Sequence, residues 1–434
     1  MARYFRWDLV TRFASAIRQE GFGAALNRVR LYLSRQRQGG HSSVLGGGGS
    51  GSNAPAVYMQ GIWGEMARGG GFHTPRDLSR GPRIALIGDL NLPQCRKYRI
   101  EQLAAFWTAQ GIPCDYAHYE DNERAVELLQ NATHLFEYRL EISLLTTMYR
   151  YEARRLGLPV LYDIDDPLFS ISAYETYHNM SALDPAFKTH FLSVAPRYAE
   201  MMNSADMVSV STPGLAEHAR LYTNRPVHVR RNFADADTLN DGAGAMARAA
   251  GAQDGLFRVV FASGSQGHEA DFDLIGDMLA AFITADPNRR LVILGHFKPA
   301  HLSGALAAQT DFHPFTDYDV YLEKLATADV AVMPLQDDQF NRCKSGVRVI
   351  DAASVGLPAI VSNVGDLPNL VIEGETGFVA STPQEWRTAL ETLASDPQKM
   401  ATMRKAARHT LETRWSGQPD PHVIAPEILE WVQT

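Results

Sequence analysis

The residues with the clearest chemical potential lie at the end of a polar loop and in the helix predicted to follow it. Lys344, Ser345 and Gly346 stand at the start of that helix, which is predicted to begin at Val347. A helix N-terminus, an ammonium and a hydroxyl all favour an anion. Asp351, further along the helix, can accept hydrogen bonds from the hydroxyl groups of a sugar or ribose. The alternative is that Lys344 is a solvated surface charge and Asp351 an ordinary carboxylate on the helix face.

A second candidate anion site is a loop rich in small residues. Ser263, Gly264, Ser265 and His268 follow a predicted strand at 257–261 and precede an apparent helix. Small residues at such a turn let backbone N–H groups approach a phosphate. A tight turn that binds nothing has the same spacing, so both interpretations stay open. The first half of the chain has no GxGxxG pattern, and the sequence does not predict a dinucleotide site there.

Short apolar strands alternating with helices must position these residues. The predicted strands are 84–87, 133–136, 159–162, 207–210 and 227–229, and then 257–261, 291–294, 330–333 and 358–361. This alternation predicts an α/β protein with two parallel, Rossmann-like sheets covered by helices. Because ligands bind outside the carboxyl ends of parallel strands, the two halves are expected to form a cleft that contains both anion sites.

The 434 residues are too many for one ordinary core. The predicted parts are a basic arm (1–38), a glycine-rich linker (39–81), an N-terminal domain (82–237), a C-terminal domain (256–415), and a C-terminal segment (416–434) that can pack back on the N-terminal domain. Residues 234–255 are rich in Ala, Asp and Gly and are interpreted as an interdomain connection.

Charge is distributed unevenly along the chain. The formal net charge is −8, yet residues 1–38 carry eight arginines against Asp8 and Glu20. An acidic body without a recognition motif predicts no nucleic-acid partner. The arm has an aromatic and aliphatic stripe opposite its arginines, which favours an anionic membrane surface as its partner. Packing on the protein's own body and a solvated tail are the alternatives.

Cysteine usage and hydropathy bear on the compartment. Three cysteines without a CxxC pair favour a reducing compartment and predict neither a disulfide framework nor a structural zinc site. No stretch reaches the length of an apolar spanning helix, and no secretory signal is recognised. The expected location is the cytoplasm, either free or on the inner face of the cytoplasmic membrane.

Residues 82 to about 415 resemble bacterial glycosyltransferases of the GT-B fold, in the large retaining group with the E-x7-E motif. The segments that carry the resemblance are ASGSxxHxxDF from Ala262, FNxxKSxxRxxD from Phe340, and GLP from Gly356 with GETGFV from Gly374. Three positions depart from the pattern. Cys343 stands where the first Glu is expected, Asp351 replaces the second Glu, and Arg348 replaces a Lys.

The resemblance implies that the C-terminal half binds a nucleotide diphosphate sugar and the N-terminal half an acceptor. The donor-binding residues that it implies are Ser263, Gly264, Ser265, His268, Asn341, Lys344, Ser345, Gly346, Arg348 and Asp351. Lys344 would hold the diphosphate and assist its departure, and Asp351 would bind the ribose. No metal or other cofactor is implied, since this fold usually positions the diphosphate without one.

The first half contributes a segment, Tyr162 to Phe169, that resembles the subgroup's Y-D-x-D-D-x-x-F. Asp165 and Asp166 are the catalytic candidates on this side, and Asp163 is an acceptor-binding candidate. A structural turn is the main alternative and a metal site a weaker one. The pair Arg96 and Arg99 resembles an R-x-x-R motif that would meet a phosphate on a lipid-linked acceptor, with surface charge as the alternative.

These observations together predict a membrane-peripheral, hexosyltransferase-like enzyme. It would move a sugar from a nucleotide diphosphate sugar to a glycan or lipid-linked acceptor, with retention of configuration. Cys343 and Asp351 motivate the alternative of a non-catalytic glycan-binding or assembly subunit. A nucleotide-sugar epimerase, which needs no acceptor, is a second alternative.

Overall fold

The computed structural model describes residue 26 and residues 81–182, 185–250, 254–264 and 268–433. The predicted arm and linker therefore lie outside the described residues, except for residues 26 and 81. None of the helices in the described ranges is long and apolar enough to cross a membrane.

Two parallel six-stranded sheets organise the described residues, as the alternating pattern predicts. The first has the order β2-β1-β3-β4-β5-β6 and the second β12-β11-β10-β7-β8-β9. The strands of the first sheet are β1 (Ile84–Gly88), β2 (Cys114–His118), β3 (His134–Tyr138), β4 (Val160–Ile164), β5 (Met207–Val210) and β6 (Val227–Val229). Those of the second are β7 (Phe257–Gly264), β8 (Arg289–Gly295), β9 (Thr310–His313), β10 (Val330–Met333), β11 (Ala359–Ser362) and β12 (Gly377–Ala380).

Helices cover both faces of each sheet. The first domain has α1 (Pro93–Cys95), a π-helical turn (Arg96–Glu101), α2 (Gln102–Ala109), α3 (Asn122–Asn131), α4 (Leu144–Leu156), α5 (Ile171–Thr176), a 3₁₀ turn (His178–Ala182), α6 (Pro185–Asn203) and α7 (Pro213–Ala219). After it come α8 (Ala236–Ala249), α9 (Glu269–Asp273), α10 (Gly276–Thr284), a 3₁₀ turn (Pro299–His301), α11 (Gly304–Ala307), α12 (Tyr318–Ala326), a 3₁₀ turn (Asn341–Cys343), α13 (Val347–Ser354), α14 (Leu367–Leu370), α15 (Pro383–Ser395), α16 (Pro397–Arg414) and α17 (Pro426–Gln433).

Local sequence explains where several helices start and stop. Ser143 and Thr382 each close a capping box at the start of α4 and α15, which satisfies backbone N–H groups that a helix start leaves free. Gly157 ends α4 in the left-handed conformation at φ 67°, which glycine adopts without a steric penalty.

The stretch interpreted as an interdomain connection is largely helical. Asp235 caps α8 by accepting a hydrogen bond from the Thr238 backbone N–H. On the face of α8 that meets α13, Gly242 is so close that a Cβ would lie 2.3 Å from the Ser354 carbonyl oxygen. Residues 234–255 therefore join the two sheets largely as a helix, and that helix packs tightly against α13.

The C-terminal residues return to the first domain. Ile424 forms an antiparallel bridge with Arg230, and Val423, Ile424, Ile428 and Val432 are buried in the same core as Trp107 and Phe136. The C-terminal segment therefore packs on the core of the first domain.

Candidate functional site

Arg139 lies directly after β3 and organises the carboxylates that follow β4. Its Nη1 atom donates to Asp165 Oδ1 at 3.0 Å and to Asp166 Oδ2 at 3.2 Å. Its φ of 53° is the one positive φ of a non-glycine residue in the described ranges. Such strained backbone tends to occur at functional sites. Sequence reasoning missed Arg139, which stands three residues after the predicted strand 133–136.

Asp166 experiences charges from both domains. Burial raises the pKa of its carboxyl group, and the neighbouring Asp165 raises it further. Arg139 of the first domain and Lys344 of the second act in the opposite direction on the same pKa. Of the three residues predicted to be catalytic, Asp165 and Asp166 thus share Arg139, and Lys344 is near enough to Asp166 to affect its pKa.

Lys344 is held between aromatic rings of both domains. Its Nζ atom donates to the Tyr177 hydroxyl at 2.9 Å and lies 5.0 Å and 5.7 Å from the ring centroids of Tyr177 and Phe340. Burial alone would lower its pKa, but Tyr177, Asp271 and Asp166 together raise it. The ammonium is therefore charged at neutral pH, as a phosphate-binding group must be.

His268 is oriented by a carboxylate that is itself fully buried. Its Nδ1 atom is 2.8 Å from Asp271 Oδ2. Burial, and to a lesser extent Lys344, lower the pKa of His268 to about 4. Although burial alone would raise it, the pKa of Asp271 is about 2, chiefly because of the hydrogen bond with His268. At neutral pH a neutral imidazole donating from Nδ1 leaves Nε2 as an acceptor.

Asp271 also connects the two domains. It accepts a hydrogen bond from Asn179 Nδ2 of the first domain at 2.6 Å. From the second domain it accepts hydrogen bonds from Asn341 Nδ2 at 3.1 Å and from the Gln336 backbone N–H at 2.8 Å. Four donors on one carboxylate fix the relative positions of the loop before α9 and the loop after β10.

Asp351 lies on α13 against tyrosines of both domains. It accepts hydrogen bonds from the hydroxyl of Tyr98 and, at 2.8 Å, from that of Tyr318. Burial raises the pKa of Asp351 to about 6, even though the tyrosine hydroxyls pull in the opposite direction.

Comparison with known proteins finds a family model that is similar to part of the chain. Residues 248–410 match the family model described as "Glycosyl transferases group 1". The match covers the second domain and leaves the first domain outside it.

Curated relatives resemble parts of the chain. A D-inositol 3-phosphate glycosyltransferase of Rhodococcus jostii is 29% identical over 164 residues, which are 34% of this chain and 35% of the relative. A glycogen synthase of Mycobacterium tuberculosis is 31% identical over 112 residues, 25% of this chain and 26% of the relative. The matched segment thus spans about a third of the length of the first relative.

Solved structures share the architecture over most of the chain. Sucrose-phosphate synthase from Thermosynechococcus elongatus has a TM-score of 0.55 at 16% identity, covering 81% of this chain and 98% of that one. Anabaena HepE in complex with UDP has a TM-score of 0.52 at 16% identity, covering 81% and 99%. The fold is therefore GT-B, as the sequence predicts.

The loop rich in small residues, which includes Ser263 and His268, begins at a bulge in β7. Gly264 has a φ of 75°, and the register with β8 shifts beside it. Ser263 Oγ donates to the His296 carbonyl at 2.5 Å, and Arg348 Nη1 donates to the Ala262 carbonyl at 3.1 Å. Both side chains therefore brace the loop in this arrangement. Ser265 lies outside the described residues.

The start of α13, in the second domain, is tightly packed. Gly346 is its N-cap, and a Cβ there would lie 3.0 Å from a methyl group of Leu370. Ser345 Oγ accepts from Asn232 Nδ2 of the first domain at 3.1 Å. The Lys-Ser-Gly segment thus lies at the junction of the two domains.

Cys343 occupies a buried contact between the domains. Its side chain is fully buried, and burial raises the pKa of its thiol to about 12. Thr212 Oγ1 of the first domain donates to its carbonyl at 2.8 Å. A Cβ on Gly214 would lie 2.3 Å from the adjacent Arg342 carbonyl oxygen. A neutral, buried thiol therefore stands at the position where the sequence comparison expects the first Glu.

The acceptor-binding role predicted for Arg99 and Asp163 needs correction. Arg99 is 1% exposed and Asp163 2% exposed. Arg99 donates to the two Asp163 oxygens at 2.9 Å and 2.7 Å. Because both are enclosed in the core, neither can meet an acceptor in this arrangement. Arg96 is half-buried and donates to Glu101 at 2.6 Å.

Proposed function

We propose that this protein is a glycosyltransferase that moves a sugar from a nucleotide diphosphate sugar to an acceptor hydroxyl. The observation that carries the proposal is the position of Lys344 at the junction of the two domains, where its ammonium donates to Tyr177 of the first domain and affects the pKa of Asp166. Arg139 joins Asp166 to Asp165. Lys344 would stabilise the leaving diphosphate, and preorganised charge of this kind is a large contribution to catalysis. Asp165 and Asp166 would orient the acceptor hydroxyl.

A donor panel tests the proposal directly. UDP-, GDP- and ADP-sugars are incubated with glycan and lipid-linked acceptors, and both nucleotide diphosphate release and product are measured. UDP-sugars come first, because HepE is solved with UDP. Transfer with a retained anomeric configuration supports the finer assignment to the retaining group, which rests on the KSxxRxxD segment.

A non-catalytic subunit is the second candidate, and the buried Cys343 favours it. It predicts that the protein binds a nucleotide sugar or a glycan but releases no diphosphate with any pair of substrates. Diphosphate release that depends on an acceptor would eliminate this candidate.

We expect Asp165→Asn to reduce the rate of transfer by at least tenfold while nucleotide affinity stays within about twofold. The substitution removes a charge at the acceptor side but touches no group proposed to bind the donor. Steady-state kinetics and calorimetry on the same preparation separate the two effects. Asp337→Asn, which changes an exposed carboxylate paired with Arg342, is the matched control. Equal losses in both variants would contradict the assignment.

We also propose that the diphosphate is positioned without a metal ion. Arg139 already forms ion pairs with one oxygen of Asp165 and one oxygen of Asp166. Its guanidinium group therefore competes with a metal cation for these two carboxylates. Transfer should therefore continue in excess EDTA. Loss of transfer in EDTA that manganese or magnesium restores would contradict this.

The arm at residues 1–38 is proposed to bind anionic membrane. Each arginine near anionic lipid contributes about 1 kcal/mol, and salt screens the attraction. Deleting 1–38 should abolish co-sedimentation with phosphatidylglycerol vesicles at low salt, and should leave the melting temperature and nucleotide affinity unchanged. If the full-length chain ignores such vesicles, or the deletion unfolds the body, the arm packs on the protein instead.

A further inference from the structure

The π-helical turn Arg96–Glu101 brings a side chain of the first domain onto the candidate ribose carboxylate. π-Helical segments are rare and frequently occur at functional sites. Tyr98, in the middle of this turn, donates its hydroxyl to Asp351 Oδ1. Tyr318 of the second domain donates to the same oxygen, and the two hydroxyls are 3.2 Å apart. One carboxylate oxygen thus accepts hydrogen bonds from two hydroxyl groups, as it would from the hydroxyl groups of a ribose.

The neighbours of Tyr98 hold its hydroxyl in place. Lys97 Nζ is 3.6 Å from Asp235 Oδ1 and 4.5 Å from the centroid of the Tyr318 ring. Arg99, on the other side, is anchored in the core by Asp163. Tyr98 itself is 4% exposed. Both flanking residues therefore hold the backbone of the turn in place, so that displacing the Tyr98 hydroxyl requires its own side chain to move away from Asp351.

We propose that Tyr98 gates the donor site by occupying the position on Asp351 that a ribose hydroxyl takes when a nucleotide diphosphate binds. The inference rests on the proposed function, in which Asp351 binds the ribose. Two hydroxyls cannot occupy one position, so the ribose must displace Tyr98. Since Tyr98 and Asp351 belong to different domains, the displacement also removes a hydrogen bond between the domains.

The test is Tyr98→Phe, which keeps the buried ring and removes only the hydroxyl. Calorimetry is done with UDP, GDP and ADP, each alone, and with inorganic pyrophosphate, which has no ribose. Nucleotide affinity should rise roughly 10- to 100-fold, because binding no longer has to break the hydrogen bond between the Tyr98 hydroxyl and a charged carboxylate. Affinity for pyrophosphate should not change, whereas a merely structural disturbance would alter both.

Tyr116→Phe is the matched control, because its hydroxyl contacts Glu101 at 3.5 Å and not Asp351. It should leave all affinities unchanged. Unchanged or weaker nucleotide binding by Tyr98→Phe, with normal binding by the unmodified protein, overturns the gate and leaves the proposed function intact. If neither protein binds any of the three nucleotides, the gate and the function on which it rests both fail.

Discussion

Replacing Lys344 by alanine is expected to weaken binding of the free nucleotide diphosphate by about 10- to 100-fold. The side chain is enclosed by Tyr177 and Phe340, and its ammonium is charged there. A charge-assisted contact with phosphate in such a place contributes roughly 1.5–3 kcal/mol. Calorimetry with UDP, GDP and ADP gives the affinities.

Lys405→Ala is the control for the loss of one positive charge. Lys405 is an exposed lysine on α16, so its removal should change nucleotide affinity by less than twofold. If Lys344→Ala binds as tightly as the unmodified protein, Lys344 is not in the donor site. The rate of transfer should fall further than the affinity, because the leaving diphosphate carries more negative charge in the transition state than in the bound donor.

How far the sequence predicts the fold depends on where a strand lies in its sheet. Strands such as β1, β5 and β10 are buried on both faces, so an unbroken apolar run identifies them. The strands that were missed, β2, β9 and β12, all lie at sheet edges. An edge strand such as Cys114–His118 includes half-exposed residues such as Asp115 and Tyr116, and it lacks the apolar run by which a buried strand is recognised.

The candidate site was predictable where a local motif carries it. Lys344 and Asp351 stand in one short segment whose spacing indicates a helix start and a carboxylate on the same helix. Arg139 was not predictable in this way, since its contacts depend on a positive φ and on the pairing of β3 with β4. Tyr98 is 253 residues from its partner Asp351, and no local pattern indicates a contact over that separation.

Asp163 shows why a motif can mislead about the role of one of its members. It belongs to the same DxDD segment as Asp165 and Asp166, yet it lies within β4 while the other two follow the strand. A side chain within a central strand points into a covered face of the sheet. The segment therefore divides into a structural carboxylate and two at the cleft.

Asp163→Asn is accordingly expected to lower the free energy of unfolding by about 3–5 kcal/mol, the cost of removing one partner from a buried ion pair. Asp163 accepts three hydrogen bonds from Arg99, one from Arg230 at 3.2 Å and one from Ser209 Oγ. Without the carboxylate, two buried guanidinium groups repel each other without compensation. Urea unfolding followed by circular dichroism measures the loss, and Asp337→Asn, at an exposed pair, should cost less than about 1 kcal/mol.

The pH dependence gives this prediction a second readout. Although burial alone would raise the pKa of Asp163, Arg99 and Arg230 lower it below its ordinary value. A carboxyl group whose pKa is lowered by folding stabilises the protein above its unfolded pKa, about 3.9, and loses that contribution as the pH falls through the lower folded value. The difference in stability between the two proteins should therefore be constant from about pH 5 to 8 and shrink below about pH 4. An Asp163→Asn variant that is as stable as the unmodified protein but fails to transfer sugar would restore the acceptor-binding role and contradict the structural one.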